Sequence, residues 1–131
     1  MDVNIFPLKG AAGINLGDSE QEVLTKLGEP KERKVMTSGT IQIIYDKVKV
    51  WIGHESKVDQ ISVYKGYEGQ TEEGIKVGLS KDDLKKLWGL DLAYHEDDYW
   101  EFMSKSGTLF NFEKDEKGED VISAIYINLP E

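Results

Sequence analysis

The residue types that could do chemistry gather at His95-Glu96-Asp97-Asp98, with a second imidazole at His54. An imidazole beside carboxylates is the raw material of a metal site or of general acid–base catalysis. The spacing here matches no established ligand pattern, so the expectation is a solvated acidic loop, Tyr94 to Asp98, between two elements. Catalysis by Asp97 and Asp98 with His95 would need a pocket around them. Ser19 and Ser80 read as helix caps rather than nucleophiles. The glycines near them are not a phosphate loop, since no Lys-Ser/Thr follows and Asp18, Glu20 and Glu22 would repel a phosphate. The stretch Glu113 to Asp120 is acidic but lacks EF-hand spacing. The reading is therefore no catalytic residue, no metal and no cofactor.

Charge and composition narrow the partners. A net charge of −9 and a pI near 4.7 argue against nucleic-acid and anionic-membrane binding and allow a basic protein partner. The absence of cysteine removes disulfides and thiol chemistry. The opening MDVNIFPLKGAAG has no basic n-region or long apolar core, and no apolar run approaches the ~20 residues of a membrane span. The expected location is cytoplasmic.

What must position any functional side chain is a repeat. Gly13 to Gly28, GINLGDSEQEVLTKLG, aligns without a gap with Gly74 to Gly89, GIKVGLSKDDLKKLWG, 61 residues later. In the first copy Gly13 and Gly17 supply turn geometry, Ser19 caps a helix and Glu22 completes a capping box. Val23, Leu24 and Leu27 form its apolar stripe, Gly28 ends it as a left-handed residue, and Pro30 prevents restart. The second copy repeats this with Ser80, Asp83, the stripe Leu84, Leu87 and Trp88, and Gly89. Alternating apolar and β-branched residues then predict strands over 33–38, 40–45, 48–52 and 58–64, and again over 99–103, 108–112 and 121–128. A brief edge strand is expected at Val3 and Ile5. The polar stretch Gly66 to Glu73 is the link. The fold expected is α+β: two tandem modules, 1–68 and 69–131, each a short capped helix packed on an antiparallel β-meander, with the sheets edge to edge.

Alignment of the modules also assigns faces. Tyr45 with Phe102, Val50 with Phe110, Ile52 with Phe112, Ile61 with Ile125 and Val63 with Ile127 stay apolar and should face the helices. The alternate positions form a second face that is polar but carries Trp51, Tyr64, Tyr99 and Tyr126, as recognition surfaces do. The competing reading is that these rings cover one another as cross-strand pairs. A bulge in the Val121–Asn128 strand would shift the assignment. Asp97, Asp98 and Glu101 at one edge, with Glu96 and the linker acids Glu68, Glu72 and Glu73, would make an acidic rim that steers a basic partner.

The pattern carried by Gly13, Ile14, Leu16, Gly17, Ser19, Glu22, Val23, Leu27, Gly28 and Pro30 resembles the helix-and-sheet module of the β-lactamase inhibitor protein and of the SmpA/OmlA-type outer-membrane lipoproteins. The second copy carries it at Gly74, Ile75, Val77, Gly78, Ser80, Leu84 and Gly89. That resemblance implies tandem modules forming one concave sheet that grips an enzyme. This chain departs from the inhibitor in lacking cysteines and in having Leu90-Asp91 where the first copy has Glu29-Pro30. The departures point away from a β-lactamase target and towards an intracellular immunity protein that neutralises a toxin. The expectation is a non-enzymatic binder using Trp51, Tyr64, Tyr99 and Tyr126 as anchors and Asp97, Asp98 and Glu101 for steering. The alternatives are a small-ligand or envelope-associated accessory domain, or an enzyme working at the His95–Asp98 loop.

Overall fold

The computed structural model describes residues 4–7, 9–88, 92–95, 99–102 and 108–128. A small antiparallel sheet opens the chain: β1 (Ile5–Phe6), β2 (Gly10–Ala11) and β3 (Ile14–Asn15). Helix α1 (Glu20–Leu27) leads into β4 (Glu32–Val35), β5 (Ile41–Ile44), β6 (Val48–Ile52) and β7 (Val58–Tyr64). Helix α2 (Lys81–Trp88) leads into β8 (Leu92–His95), β9 (Tyr99–Phe102), β10 (Thr108–Lys114) and β11 (Asp120–Asn128). Strands β4 to β11 together form one eight-stranded sheet in the order β4-β5-β6-β7-β11-β10-β9-β8, every pair antiparallel. The fold is thus α+β with two tandem helix-plus-meander modules, and their sheets fuse into one.

The fusion has a local two-fold. Strand β7 pairs with β11 so that Ile61 lies opposite Ile127 and Val63 opposite Ile125. Ile61 and Val63 are the repeat equivalents of Ile125 and Ile127, so the seam is made of like strands running in opposite directions. Ser62 and Tyr126, which face each other across it, are equivalent positions, and the pseudo-axis passes between them.

Each helix is positioned by the loop that precedes it. Gly17 N–H donates to Val58 O and Val58 N–H to Asp18 O, both at 2.8 Å. In the second module Gly78 N–H donates to Ile122 O and Ile122 N–H to Leu79 O, again at 2.8 Å. The glycines adopt φ +95° at Gly17 and +98° at Gly78, and nothing lies within 4 Å of where a Cβ would sit. Backbone conformation rather than space therefore demands glycine there. The capping box at Ser19 and Glu22 is formed, and Ser80 Oγ accepts from Asp83 N–H at 3.1 Å.

The core lies between the sheet and the layer holding α1, α2 and the small sheet. Val23 and Leu84, the equivalent helix positions, are both 0% exposed, and they join Ile5, Ile14, Val50, Ile61, Phe110 and Ile125. Leu87, expected in the stripe of α2, is instead 45% exposed. A two-turn helix buries a narrow seam, and the second member of the α1 seam, Leu27, lies four residues beyond Val23 rather than three. Gly28 keeps a positive φ of 81°, but its ψ of −159° is not the left-handed helical conformation expected of it. Its N–H still closes the helix onto Leu24 O. The predicted first strand stops at Val35 rather than residue 38, because Met36 to Thr40 form the turn into β5. Gly89, the loop over Ser104 to Gly107 and Val3 fall outside the described residues.

Candidate functional site

The face turned away from the helices is the candidate surface. Alternation fixes it from β4 inwards: Arg33, opposite the buried Ile43, reaches Glu20 on α1, so Glu32 and Lys34 lie on the other side. Register carries that side through Gln42 and Ile44 of β5, Lys49 and Trp51 of β6, Gln60, Ser62 and Tyr64 of β7, and Ala124, Tyr126 and Asn128 of β11. Leu109 and Asn111 of β10 continue it. The expected bulge occurs, and it occurs twice at equivalent places. Asp59 is skipped between Trp51↔Gln60 and Ile52↔Val58, and Ser123 between Asn111↔Ala124 and Phe112↔Ile122. Each extra residue flips the parity of the strand start, which turns Val58 and Ile122 into the core while the later residues keep their assigned faces.

The rings on this face are held by polar contacts. Tyr64 and Tyr126 pack edge to face, centroids 6.2 Å apart and planes at 89°. Ser62, fully buried between them, donates its hydroxyl to Tyr64 Oη at 2.6 Å, and Tyr126 donates its own to Asn111 Oδ1 at 2.8 Å. Lys49 Nζ lies 5.1 Å over the Tyr64 ring. Tyr126 is only 9% exposed, so it supports Tyr64 more than it offers a surface of its own. Tyr64 and Tyr126 are thus a packed pair, while Trp51 is half-buried and flanked by Gln42 and Gln60.

Other expected site residues stand as follows. Tyr99 pairs with Asn111 and with His95, and Glu101 with Leu109 and with Ala93, so both lie on β9 beside the assigned face. Asp97 and Asp98 lie outside the described residues. His95 is the last residue of a strand, β8, not part of a loop. The linker acids are not all at the rim. Gln70 O accepts from Ile5 N–H, and Glu72 lines a hollow with Asn4 and Phe6, which puts it with the small sheet on the helix side.

Alternation puts Lys49 on this face, and strand register decides which charges surround it. Among the described residues, module one presents Lys49 and an ion pair of Lys34 with Glu32 at 3.3 Å, a local excess of positive charge in a protein of net charge −9. No carboxylate among the described residues lies within ion-pair distance of Lys49. The signal for Gln42 and Ile44 was present in the alternation of Ile41-Gln42-Ile43-Ile44. The isolation of Lys49 from carboxylates follows only from the register of β5, β6 and β7.

Other polar clusters among the described residues serve structural roles. A cavity of about 600 Å³ lies between Lys65, Gly78 and the Glu113–Lys117 turn. Its charges are largely matched: Lys65 to Glu113 at 4.0 Å and Lys114 to Asp120 at 2.9 Å, with Asp115 Oδ1 accepting from Lys117 and Glu119 N–H. Lys114 and, less closely, Lys81 hold the Asp120 carboxyl below its ordinary range. Arg33 does the same for Glu20 through hydrogen bonds of 2.6 and 3.1 Å. Burial raises the Tyr45 phenol, whose hydroxyl donates to Gly28 O at 2.8 Å. No group of three metal-ligating side chains occurs among the described residues, and no helix there is long and apolar enough to cross a membrane.

No protein-family model and no curated protein matches the chain. Among solved structures it is similar to an extracellular protein containing an SCP domain from Bacillus anthracis, with a TM-score of 0.56 at 16% identity. The match covers 86% of this chain and 44% of that one, so the chain corresponds to less than half of that protein. At this identity the likeness is one of fold.

Proposed function

We propose that this chain is a non-enzymatic protein-binding module that takes a protein partner on its open sheet face, in its sharpest form an inhibitor or immunity protein neutralising a toxin or enzyme. The observation that carries this reading is the ordered aromatic face itself. Tyr64 is fixed by Ser62, Tyr126 and Lys49 before any partner arrives, and Trp51 stands half-buried on the same face. Rings ordered in advance lose little entropy on binding and supply large contact area. The overall charge of −9 would steer a partner with a basic surface at long range. That reading goes with a cytoplasmic location.

The test compares capture of proteins from source-cell lysate by the wild-type chain and by Trp51→Ala. A salt-sensitive partner retained by the first and lost by the second, with thermal stability little changed, supports the proposal. Equal capture by both, or marked thermal stabilisation by a metal ion or metabolite, overturns it.

A second reading is favoured by the similarity to part of a longer extracellular protein. In it the module is an accessory domain whose face packs on a neighbouring domain or envelope protein. Photo-cross-linking from Trp51 in source cells would separate the two readings, an envelope protein in the adduct favouring the second.

A further inference from the structure

We infer that Lys49 is the point at which the partner supplies a carboxylate: the occupant of the open face is a folded protein surface presenting an Asp or Glu beside an apolar or aromatic side chain. This rests on the reading of that face as the binding surface. Lys49 and Trp51 are two residues apart on β6 and share the face, and the Lys49 ammonium sits over Tyr64. Any surface that covers both Trp51 and Tyr64 must also cover Lys49, which lies between them in register and whose ammonium sits over the Tyr64 ring. Its register neighbours, Ile44 and Ser62, bring no charge, and the nearest charged pair on the face, Lys34 with Glu32, is already neutralised. An ammonium stripped of water without an anionic partner is strongly unfavourable, and the Tyr64 ring offsets only part of that loss. A carboxylate on the partner meets the need with a charge-assisted hydrogen bond. The requirement is local, so it is compatible with a partner that is basic over its wider surface. Long-range steering follows summed charge, while the contact follows the groups that lose water.

The test uses a displayed library of small helical domains with one randomised face, selected on the full wild-type chain and counter-selected on Trp51→Ala. The expected binders carry Asp or Glu beside an aromatic or aliphatic residue. Lys49→Met, which keeps the methylenes over Tyr64 and removes the charge, should weaken them at least about tenfold while lowering Tm by no more than about 4 °C through the lost contact with that ring. Face-directed binders that lack acidic residues, or that lose less than about twofold on Lys49→Met, overturn this inference and leave the face reading standing. A library yielding no binder that distinguishes wild type from Trp51→Ala overturns both.

Discussion

The assignment of the two sheet faces predicts opposite outcomes for two aromatic truncations. Phe110 is 0% exposed and sits on the helix side of β10, opposite Ile125. Its replacement by Ala removes a fully buried ring and leaves a cavity, which costs about 3–5 kcal/mol. For a chain of 131 residues the unfolding entropy is about 0.28 kcal/mol/K, so each kcal/mol lowers Tm by about 3.6 °C and Phe110→Ala by about 11–18 °C. Trp51, half-buried between Gln42 and Gln60, keeps part of its ring in water and loses two cross-strand pairs, worth about 0.4–2 kcal/mol together, a fall of about 1–7 °C. Thermal unfolding followed by circular dichroism reads both. If Trp51→Ala fell as far as Phe110→Ala, the indole would belong to a core and the open face would not be open.

Further outcomes follow from the same contacts. Ser19→Ala removes the hydroxyl that accepts from Glu22 N–H and should cost about 1 kcal/mol in chemical denaturation, with a similar loss for Ser80→Ala. Gly17→Ala should cost about 1–2 kcal/mol by the same measurement, because φ +95° is strained for any residue with a Cβ while the space itself is free. The Glu20 carboxyl is depressed by Arg33, so its contribution is present above the unfolded carboxylate value and is lost as pH falls through the lower folded one. Wild type should therefore exceed Glu20→Gln in Tm at neutral pH, and the difference should shrink below the ordinary carboxylate range and vanish only once pH falls below the lowered folded value. Tyr126→Phe should cost about 1 kcal/mol by loss of the hydrogen bond to Asn111, with the sheet intact in its far-ultraviolet spectrum.

What was legible in the sequence was what local chemistry dictates. The capped helices follow from Ser19 and Ser80 with their carboxylates, and the loops ahead of them from glycines that only a positive φ explains. The faces followed from alternation, and equivalent bulges at Asp59 and Ser123 left the later strand residues where alternation put them. Strand β8 was missed because Leu92-Ala93-Tyr94-His95 lacks β-branched alternation and runs into acidic residues that read as a loop. Strands β2 and β3 were missed because two-residue strands, one of them Gly10-Ala11, leave no periodic signal. The β7–β11 seam is a contact between residues far apart in the chain, and propensity does not encode which edges meet. The chemistry of the face was hidden for the same reason. That Lys49 lies over Tyr64 and beside no carboxylate among the described residues depends on which strands became neighbours.

Docking of a partner on the open face is read out by site-specific photo-cross-linking in source cells. A benzophenone amino acid would replace Trp51 in one variant and the exposed Lys86 of α2 in another. One discrete protein adduct is expected from position 51 and none from position 86. An adduct from position 86 with none from position 51 would contradict this and move the docking surface to the helical layer.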